Sequence, residues 1–441
     1  MKNLLFFFIF LFCVPFLVVS QTKFKLQNNK KFDKVRFKLI HNLIIIPVEI
    51  NGVELSFILD TGVGKPIVFS FLNERDTLKI NNTEAYILRG LGEGDSFEAL
   101  KSKNNVFKVG AAINASQEIY AIHDASLNFT PQLGIPIHGI IGFDLFKDFI
   151  IEINYSKRYI KLHDPDRYIY TVCDACETVN FEFYNNKPYV NAHVKINDIY
   201  VPVKLLMDSG GSDSIWIFEN ENLGLYESEN YFIDFLGHGL SGSVYGKRSK
   251  VQELKIRSFT LNQVNVSYPD SNAVHFAKRL KIRNGSISGN VLKRFNMIVD
   301  YRNARLTLKK NRFYKDEFSY NKSGIELEHH GELLVLEGDN STSSAFTNTT
   351  INLDLELKPS YNFQVKPAFT IVELRENSPA ELAGLLVGDI VLSVNNRKSH
   401  EYKIHEIIRL FYAKEGDDIR IKVNRNGVKH SFNFQLKAPL K

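Results

Sequence analysis

The sequence predicts a mainly β protein with two similar halves, followed by a small α+β domain. Three observations support this prediction. A run of apolar residues that ends in an acid and a glycine occurs twice, at residues 57–62 and 204–210. Apolar strands with turn signals between them flank each copy. Residues 359–440 carry a different pattern, which combines strands with one helix.

The repeated run places one carboxylate in a tight turn in each half. The two copies are Phe57-Ile58-Leu59-Asp60-Thr61-Gly62 and Lys204-Leu205-Leu206-Met207-Asp208-Ser209-Gly210. The apolar residues predict a buried strand, the acid lies where the strand ends, and the glycine permits the sharp turn. We expect the hydroxyls of Thr61 and Ser209 to hydrogen-bond backbone groups of the opposite turn. A single Asp-Thr-Gly is usually an ordinary turn, so the functional interpretation rests on the duplication.

Other landmarks repeat in the same order, at an offset of 146 to 148 residues. They are a glycine-rich stretch (88–94 and 236–242), a stretch of apolar residues with two glycines (139–146 and 285–292) and the end of a strand (153–155 and 299–301). A repeat of this length is one lobe rather than one unit of a solenoid.

Each half also predicts a β-hairpin that leads into its acid. The first consists of strands over 43–50 and 53–60, joined by Asn51-Gly52, which favours a type I′ turn. Strands over 189–196 and 200–207 form the second hairpin. A short helix is expected after Gly142 and after Gly289.

Together these motifs give each half a resemblance to a lobe of a retropepsin-type aspartic protease. The whole arrangement is similar to bacterial aspartyl-protease proteins that join two such lobes to a C-terminal PDZ domain. The resemblance implies two β-barrel lobes, residues 35–170 and 178–312, that form a pseudo-dimer. It also implies catalytic roles for Asp60 and Asp208, with Thr61, Gly62, Ser209 and Gly210 in the active-site turns. The flap hairpins would carry the remaining glycines of the motif, which are Gly90, Gly92, Gly94, Gly237, Gly239 and Gly242.

Two acids held about 3 Å apart cannot both ionise, so they share a proton and titrate as a pair. One activates a water molecule as general base, while the other protonates or polarises the scissile carbonyl. We therefore expect an aspartic endopeptidase that acts on peptides or proteins and needs no cofactor or metal. The alternative is a non-catalytic peptide-binding protein, or a PDZ scaffold, that retains the protease fold.

Two positions depart from the family pattern. Val63 and Gly211 follow the turns where many pepsin-like enzymes have a hydroxyl, so only backbone N–H groups could hydrogen-bond the acids there. Ser288 stands where an apolar residue is expected.

The stretch from Gly237 to Gly242 also fits the G-x-G-x-x-G pattern of dinucleotide sites. Such a site needs a strand before it and a helix opening at the third glycine, and the residues that follow do not indicate a helix. A mobile hairpin that closes over a peptide is the better interpretation.

The N-terminus predicts an exported protein. Residues 1–20 begin with a positive charge, continue with an apolar core and end in small residues, which is typical of a cleaved signal peptide. A retained anchor is the alternative, although the apolar run is short for a membrane span, which needs about 20 residues. The mature protein is expected in the periplasm, in the cell envelope or outside the cell.

Two cysteines, Cys173 and Cys176, lie between the halves. In an exported chain they are expected to form a structural disulfide or to remain free thiols. A metal site would need further ligands nearby, and a redox motif would need a helix start in an α/β context.

The C-terminal part is expected to consist of a connecting segment, 313–358, and a domain over 359–440. The connection contains an exposed loop over 340–350, and its cluster at 328–332 is interpreted as surface. The domain resembles a bacterial PDZ domain through a strand over 369–374, the stretch 377–385, the stretch 388–391 and a helix over 403–412. The resemblance implies a groove between that strand and that helix in which a peptide adds as a strand, with its carboxylate near residues 366–369. The groove residues would be Phe369, Thr370, Ile371, Val372, Ile407, Ile408 and Phe411. The alternative is a PDZ fold used only for packing on the protease.

Composition sets broad limits on partners. The net charge of +6 is not concentrated in a basic run, so nucleic acid is not an expected partner. We expect a monomer without a stable membrane span, whose partners are a peptide or protein substrate and a peptide ligand of the PDZ domain.

Overall fold

The computed structural model describes residues 23–27, 29–69, 78–88, 90, 96–123, 127–227, 229–338 and 361–440. The predicted signal peptide lies outside the described residues, as do the glycines at 92 and 94 and the loop at 340–350. The chain is mainly β, as predicted. Within the described residues no helix is both long and apolar enough to cross a membrane.

Within the described residues, twenty-nine strands form four sheets, and the first twenty-three strands, from Lys25 to Lys310, make up two halves. The strands of the first half are β1 (Lys25–Leu26), β2 (Phe32–Arg36), β3 (Lys38–Ile40), β4 (Leu43–Ile50), β5 (Val53–Leu59), β6 (Ile67–Val68), β7 (Thr83–Leu88), β8 (Phe97–Val109), β9 (Ala112–Ala121), β10 (Gly139–Ile141), β11 (Ile150–Asn154) and β12 (Tyr159–His163). Those of the second half are β13 (Cys176–Asn180), β14 (Glu182–Tyr184), β15 (Lys187–Ile196), β16 (Ile199–Asp208), β17 (Ile215–Ile217), β18 (Phe232–Gly239), β19 (Gly242–Ile256), β20 (Phe259–Pro269), β21 (Gly285–Ser288), β22 (Phe295–Asp300) and β23 (Arg305–Lys310).

The remaining elements are six C-terminal strands and short helices. The strands are β24 (Ile325–Gly338), β25 (Tyr361–Leu374), β26 (Ile390–Val394), β27 (Arg397–Lys398), β28 (Asp418–Arg425) and β29 (Val428–Gln435). The α-helices are α1 (Thr130–Leu133), α2 (Phe143–Phe146), α3 (His275–Lys278), α4 (Gly289–Leu292), α5 (Pro379–Leu382) and α6 (Ile404–Phe411). Short 3-10 helices cover Glu221–Leu223 and Ser399–Glu401.

Two sheets, one from each half, repeat the same strand circuit. In the first, β4 pairs with β5, β5 with β10, β10 with β6, β6 with β9, β9 with β8, and β8 again with β4. In the second, β15, β16, β21, β17, β20 and β19 follow the same order, and β19 returns to β15. The parallel and antiparallel pairs also agree between the two sheets. The sequence repeat is therefore a structural repeat.

The predicted hairpins are present in both halves. Asn51 and Gly52 both have positive φ, at 49° and 87°, as the predicted type I′ turn requires. Asn197 and Asp198 have φ values of 47° and 66° at the matching turn. The expected short helices are α2, which follows Gly142, and α4, which begins at Gly289.

A six-stranded sheet joins the halves. Its order is β13-β23-β22-β11-β12-β2, so the first half supplies three strands and the second half the other three. In the central pair of strands, β11 and β22, Ile151 is opposite Val299 and Ile153 is opposite Met297. The repeat offset of 146 relates Ile151 to Met297 and Ile153 to Val299, so the two pairs are equivalent when the halves are exchanged. The sheet is therefore two-fold symmetric in its pairing.

The last sheet begins earlier in the chain than predicted. Strand β24 pairs with β25 from Ile325 opposite Leu374 to Gly338 opposite Tyr361, and the sheet continues through β26, β28 and β29. The segment predicted as a connection over 313–358 therefore supplies an edge strand of the C-terminal domain. Its backbone groups need a partner, and the matching strand β25 provides one over its whole length.

The link between the halves contains the two cysteines in question. Cys173 and Cys176 form a disulfide with a Cα–Cα distance of 5.4 Å. The next residues enter β13, which pairs with β23 in the joining sheet.

An ion pair fixes the turn between α5 and β26. Asp389 is buried, and Arg425 donates from Nε and Nη2 to its two carboxylate oxygens, each at 2.7 Å. We expect Arg425→Met to lower the free energy of opening of this domain by about 1.5–3 kcal/mol, since it removes charge-assisted hydrogen bonds and leaves Asp389 unpaired. Native-state hydrogen exchange of β26 and β28 measures this quantity.

The matched control is Arg397→Met. Arg397 pairs with Glu401 at 3.5 Å, and both side chains are about half exposed, so a change below about 1 kcal/mol is expected. Equal effects of the two substitutions would contradict the role given to Arg425.

Candidate active site

Each acid lies at the end of a strand that is paired in parallel with a glycine strand. Ile141 is opposite Leu59 in the first half, and the Asp60 N–H donates to the Ile141 carbonyl at 2.8 Å. In the second half Ser288 is opposite Asp208. A Cβ added to Gly142 would lie 1.9 Å from the Asp60 carbonyl oxygen, so only glycine fits where this strand passes behind the acid turn.

The two turns bind each other through their hydroxyls, as predicted. The Thr61 hydroxyl donates to the Met207 carbonyl at 2.6 Å and accepts from the Ser209 N–H at 3.1 Å. The Ser209 hydroxyl donates to the Leu59 carbonyl at 2.8 Å and accepts from the Thr61 N–H at 3.0 Å. Both side chains are buried. Four reciprocal hydrogen bonds therefore hold Asp60 and Asp208 in facing turns.

The glycines of the turns are seated against the carboxyl groups. A Cβ on Gly62 would lie 3.1 Å from Oδ1 of Asp60 and 3.4 Å from Oδ1 of Asp208. A Cβ on Gly210 would lie 2.4 Å from Oδ2 of Asp60, which no side chain tolerates. The Gly62 N–H donates to Asp60 Oδ1 at 2.6 Å. The structure thus brings together all six residues predicted for the acid turns.

The electrostatics of the site favour a shared proton. Burial, followed by the facing Asp208 carboxylate, raises the pKa of Asp60 to about 7. Burial also raises the pKa of Asp208, but Arg283 and Lys187 oppose that rise. The N–H groups of Gly62 and Gly210 stabilise the charged forms to a smaller extent.

Two positively charged residues near the acids were missed from the sequence. Lys187 begins β15, and Arg283 lies two residues before β21, so neither belongs to the acid motif. Burial lowers the pKa of both groups, and Asp208 acts in the opposite direction on both. The repeat offset relates Arg283 to Ile137, whereas only the strand register relates Lys187 to Leu43, so the sequence could have pointed to Arg283 alone.

The predicted flaps meet above the acids. Strands β18 and β19 form the hairpin that carries Gly237, Gly239 and Gly242. The Gly90 N–H, beyond the end of β7, donates to the Ser241 hydroxyl at 3.0 Å, and a Cβ on Gly90 would lie 2.4 Å from Cβ of Leu240. No helix opens at Gly242, where β19 begins, so the local structure is not that of a dinucleotide-binding turn.

The hairpin of β18 and β19, together with Leu88 and Gly90, lines a cleft of about 910 Å³ that contains both acids. This is near the upper end of the roughly 300–1,000 Å³ typical of ligand pockets, so the cleft has room for a peptide segment. The first half lines it with Ile58, Ile67, Leu88 and Ile140, the second half with Trp216, Leu236, Lys187 and Arg283, and the C-terminal domain with Leu327, Glu328, Ile408 and Tyr412.

The C-terminal domain supplies one wall of this cleft through a buried charge network. Arg248 of β19 pairs with Asp213 at 3.0 Å and with Asp234 at 2.9 Å, and Arg375 lies 3.9 Å from Asp234. Burial and the charge of Asp234 raise the pKa of Glu326 to about 7. Of these contacts, the approach of Arg375 to Asp234 joins the C-terminal domain to the second half, and the Tyr245 hydroxyl adds a hydrogen bond to Glu373 at 2.7 Å.

The seven predicted groove residues do not line an open groove along β25. Its residues Phe369–Ile371 pair with β24 on one edge, and Phe369 and Thr370 also pair with β26 on the other, so no free edge is left there for an added strand. Phe369, Ile371, Ile407 and Phe411 are buried in the core of the domain, and only Val372 and Ile408 line the cleft. The predicted carboxylate position fails for the same reason, since Lys366 and Pro367 are also paired with β24.

The strand beside α6 is β24, and part of the first half lies against both. Helix α1 contacts β24 and α6. A Cβ on Gly134, which ends α1, would lie 2.5 Å from Cγ2 of Ile404 and 3.3 Å from Nε2 of His329. The sequence did not reveal this contact, because it joins segments that are far apart in the chain.

The structure accommodates Ser288, which stands where an apolar residue is expected. Ser288 is buried with its hydroxyl 2.9 Å from where a Cβ on Gly211 would lie, so its small side chain fits behind the second turn. Within the part of the chain that the structure describes, no three His, Cys, Asp or Glu side chains are grouped so that they could hold a metal ion.

Comparison with known families identifies one domain. The family model for the PDZ domain matches residues 370–425. A search of curated proteins found no match. The C-terminal part of the chain is therefore a PDZ domain, a class of domain that binds peptides or proteins.

The reciprocal hydrogen bonds allow a stability test. We expect Thr61→Ala to lower the free energy of unfolding by about 1–3 kcal/mol, since the Met207 carbonyl and the Ser209 N–H would remain buried without partners. Urea unfolding followed by the fluorescence of Trp216, the single tryptophan, measures the change.

Thr61→Ser is the matched control, because it retains the hydroxyl and removes only a methyl group. A serine variant as unstable as the alanine variant would show that the hydroxyl is not what holds the turns together.

Proposed function

We propose that this protein is an aspartic endopeptidase in which Asp60 and Asp208 act on a water molecule. The observation that carries the proposal is the pair of acid turns, held face to face by four reciprocal hydrogen bonds beneath two hairpins. Two such acids in one cleft supply one general base and one general acid. The proposed architecture is a single-chain pseudo-dimer of two retropepsin-like β-barrel lobes, and it is supported by the repeated strand circuit.

The surroundings of the acids assign their roles. Asp208 is the carboxylate, because Arg283 favours its charged form, whereas Lys187 favours the charged forms of both acids. Asp60 carries the shared proton, because burial and the neighbouring negative charge favour its neutral form. The site is therefore prepared for catalysis before the substrate enters.

The reaction then follows in two steps. Asp208 takes a proton from water as the water oxygen bonds to the scissile carbonyl carbon, and Asp60 gives its proton to the carbonyl oxygen. The resulting tetrahedral intermediate breaks its C–N bond when the nitrogen receives the proton held by Asp208, and the new hydroxyl returns a proton to Asp60. The products are a free carboxyl group and a free amine, and the acids return to their starting states.

The PDZ domain is proposed to hold peptide next to the acids. Its residues Leu327, Glu328 and Ile408 line the same cleft as the acids, which supports a role in positioning the substrate. Export is proposed from the N-terminal sequence, and the disulfide between Cys173 and Cys176 is in keeping with an oxidising compartment.

A second candidate function is peptide binding without cleavage. It is favoured by the PDZ domain, which by itself implies peptide or protein binding. The two candidates differ in whether peptide bonds are broken, so the acids decide between them.

Asp60→Asn and Asp208→Asn are each expected to lower kcat by about 10²- to 10⁴-fold or more, because each removes one half of the general acid–base pair. Cleavage of a diverse peptide pool, followed by mass spectrometry from acidic to neutral pH, measures this loss. A pepstatin-type inhibitor should have the same effect on the unaltered protein. If the unaltered protein cleaves no faster than either variant at any pH, the binding protein is favoured.

The pH dependence follows from the direction of the two shifts. Asp60 must be protonated, so kcat/KM should fall as the pH rises through about 7. Asp208 must be ionised, so activity should also fall in acid, at a pH above the ordinary aspartate range. Rates measured at closely spaced pH values should therefore form a bell.

Glu326 provides the control for the alkaline limb of the profile, which is the fall in kcat/KM as the pH rises through about 7. Burial raises the pKa of Glu326 to about 7 as well. Glu326→Gln should leave that limb in place. Loss of the limb in this variant would assign it to the PDZ wall instead of to Asp60.

A further inference from the structure

The sides of the cleft formed by the first and the second half differ in charge, although the two halves have the same strand order. In β15 and β16, Tyr189 lies opposite Leu206. Because the strands are antiparallel, the residue two places before Tyr189 meets the residue two places after Leu206. Continued by two residues, this register places Lys187 opposite Asp208, and both Asp60 and Asp208 oppose the lowering of the Lys187 pKa by burial.

The first half has an apolar residue at the corresponding place. Ile45 lies opposite Ile58 in β4 and β5, so the same count places Leu43 opposite Asp60. Leu43 is buried in an apolar cluster beside the cleft. The exchange of leucine for lysine makes the surroundings of the two acids unequal.

A second pair of positions shows the same exchange. Arg283 and Ile137 each stand two residues before the first glycine of the strand that passes behind the acid turn. The backbone follows the same path in both halves, because the next residue donates its N–H to the hairpin strand, from His138 to Ser56 and from Asn284 to Lys204. Ile137 is fully buried, whereas Arg283 lines the cleft.

Both cations interact electrostatically with Asp208, but neither has a closer acidic partner among the described residues. Within the described parts of the chain, no carboxylate forms an ion pair with Lys187 or with Arg283. Arg283 is only 8% exposed, and its Nε donates to the Gly285 carbonyl at 3.0 Å. A cation that is withdrawn from water without a partner is costly, so an anionic ligand would gain from binding there.

The charge count also favours an anion. With Asp60 protonated, Asp208 offsets one of the two cations and leaves a net charge of about +1 on this side of the cleft. Asp213, which also lines the cleft, is already paired with Arg248.

We propose that Lys187 and Arg283 bind a carboxylate of the substrate next to the scissile bond, while the apolar wall around Leu43 accepts an apolar residue on the other side of the cut. The inference rests on the proposed peptidase function and names its substrate class. The carboxylate comes from a Glu or Asp side chain or from the end of the peptide chain.

The test compares peptides that differ by one charge. A peptide cut by the full-length mature protein is resynthesised with Glu and with Gln at each position beside the cut, and with a free or an amidated C-terminus. We expect kcat/KM to be about 10- to 100-fold higher for the acid than for its amide twin, the range of hydrogen bonds to charged groups. The position of the effect separates a side-chain carboxylate from a terminal one.

Variants then assign the preference to its residues. Lys187→Met should bring the ratio of acid to amide towards one, and Arg283→Lys should retain part of it. Arg257→Met is the matched control, since Arg257 is largely exposed on the β19–β20 turn and approaches only Glu177, and it should leave the ratio unchanged. If Lys187→Met acted only by altering the Asp60–Asp208 pair, kcat/KM would change equally for the acid and amide peptides, and their ratio would stay the same. An unchanged ratio in Lys187→Met therefore overturns the proposal.

Binding provides an independent measurement if cleavage fails. Trp216 lines the cleft, so its fluorescence can follow titration of the Asp60→Asn variant with the Glu and Gln peptides. Tighter binding of the acidic peptides would support the carboxylate site even in a protein that does not cleave. Equal affinities, with cleavage intact in the unaltered protein, would overturn this inference and leave the peptidase function standing.

Discussion

The structure depends on the reciprocal hydrogen bonds between the two acid turns. The hydroxyls of Thr61 and Ser209 each accept a hydrogen bond from an N–H group of the opposite turn. Each also donates a hydrogen bond to a carbonyl of the strand before the opposite acid. This arrangement forces two carboxyl groups together where burial already disfavours charge, so the pKa of Asp60 rises to about 7.

The two halves share one strand arrangement, but the residues around their acids differ. The strand circuit is repeated in the two halves, and the central sheet that joins them is symmetric in its pairing. A symmetric pair of acids would have no preferred site for the shared proton. Lys187 and Arg283 break this symmetry, because they stand where the first half has Leu43 and Ile137. The same change gives the cleft one apolar and one positively charged side.

The PDZ domain is part of the cleft wall and not a separate appendage. The ion pair of Arg375 with Asp234 and the hydrogen bond from the Tyr245 hydroxyl to Glu373 join it to the second half, and α1 of the first half lies against β24 and α6. A peptide held by this domain is therefore close to both acids. The resemblance to PDZ domains placed the strand at 369–374 beside the helix, whereas β24 is the strand that lies against α6.

The sequence by itself determined the local features. These include the strand at 43–50, the type I′ turn at Asn51-Gly52, the helix at 404–411 and the residues of the acid turns, because each depends on neighbours within a few positions. Only the tertiary structure decided which strand lies beside α6, that Gly134 meets Ile404, and that Lys187 and Arg283 share the cleft with the acids. These contacts join segments that are far apart in the chain. They depend on strand register, which the order of residues along the chain does not specify.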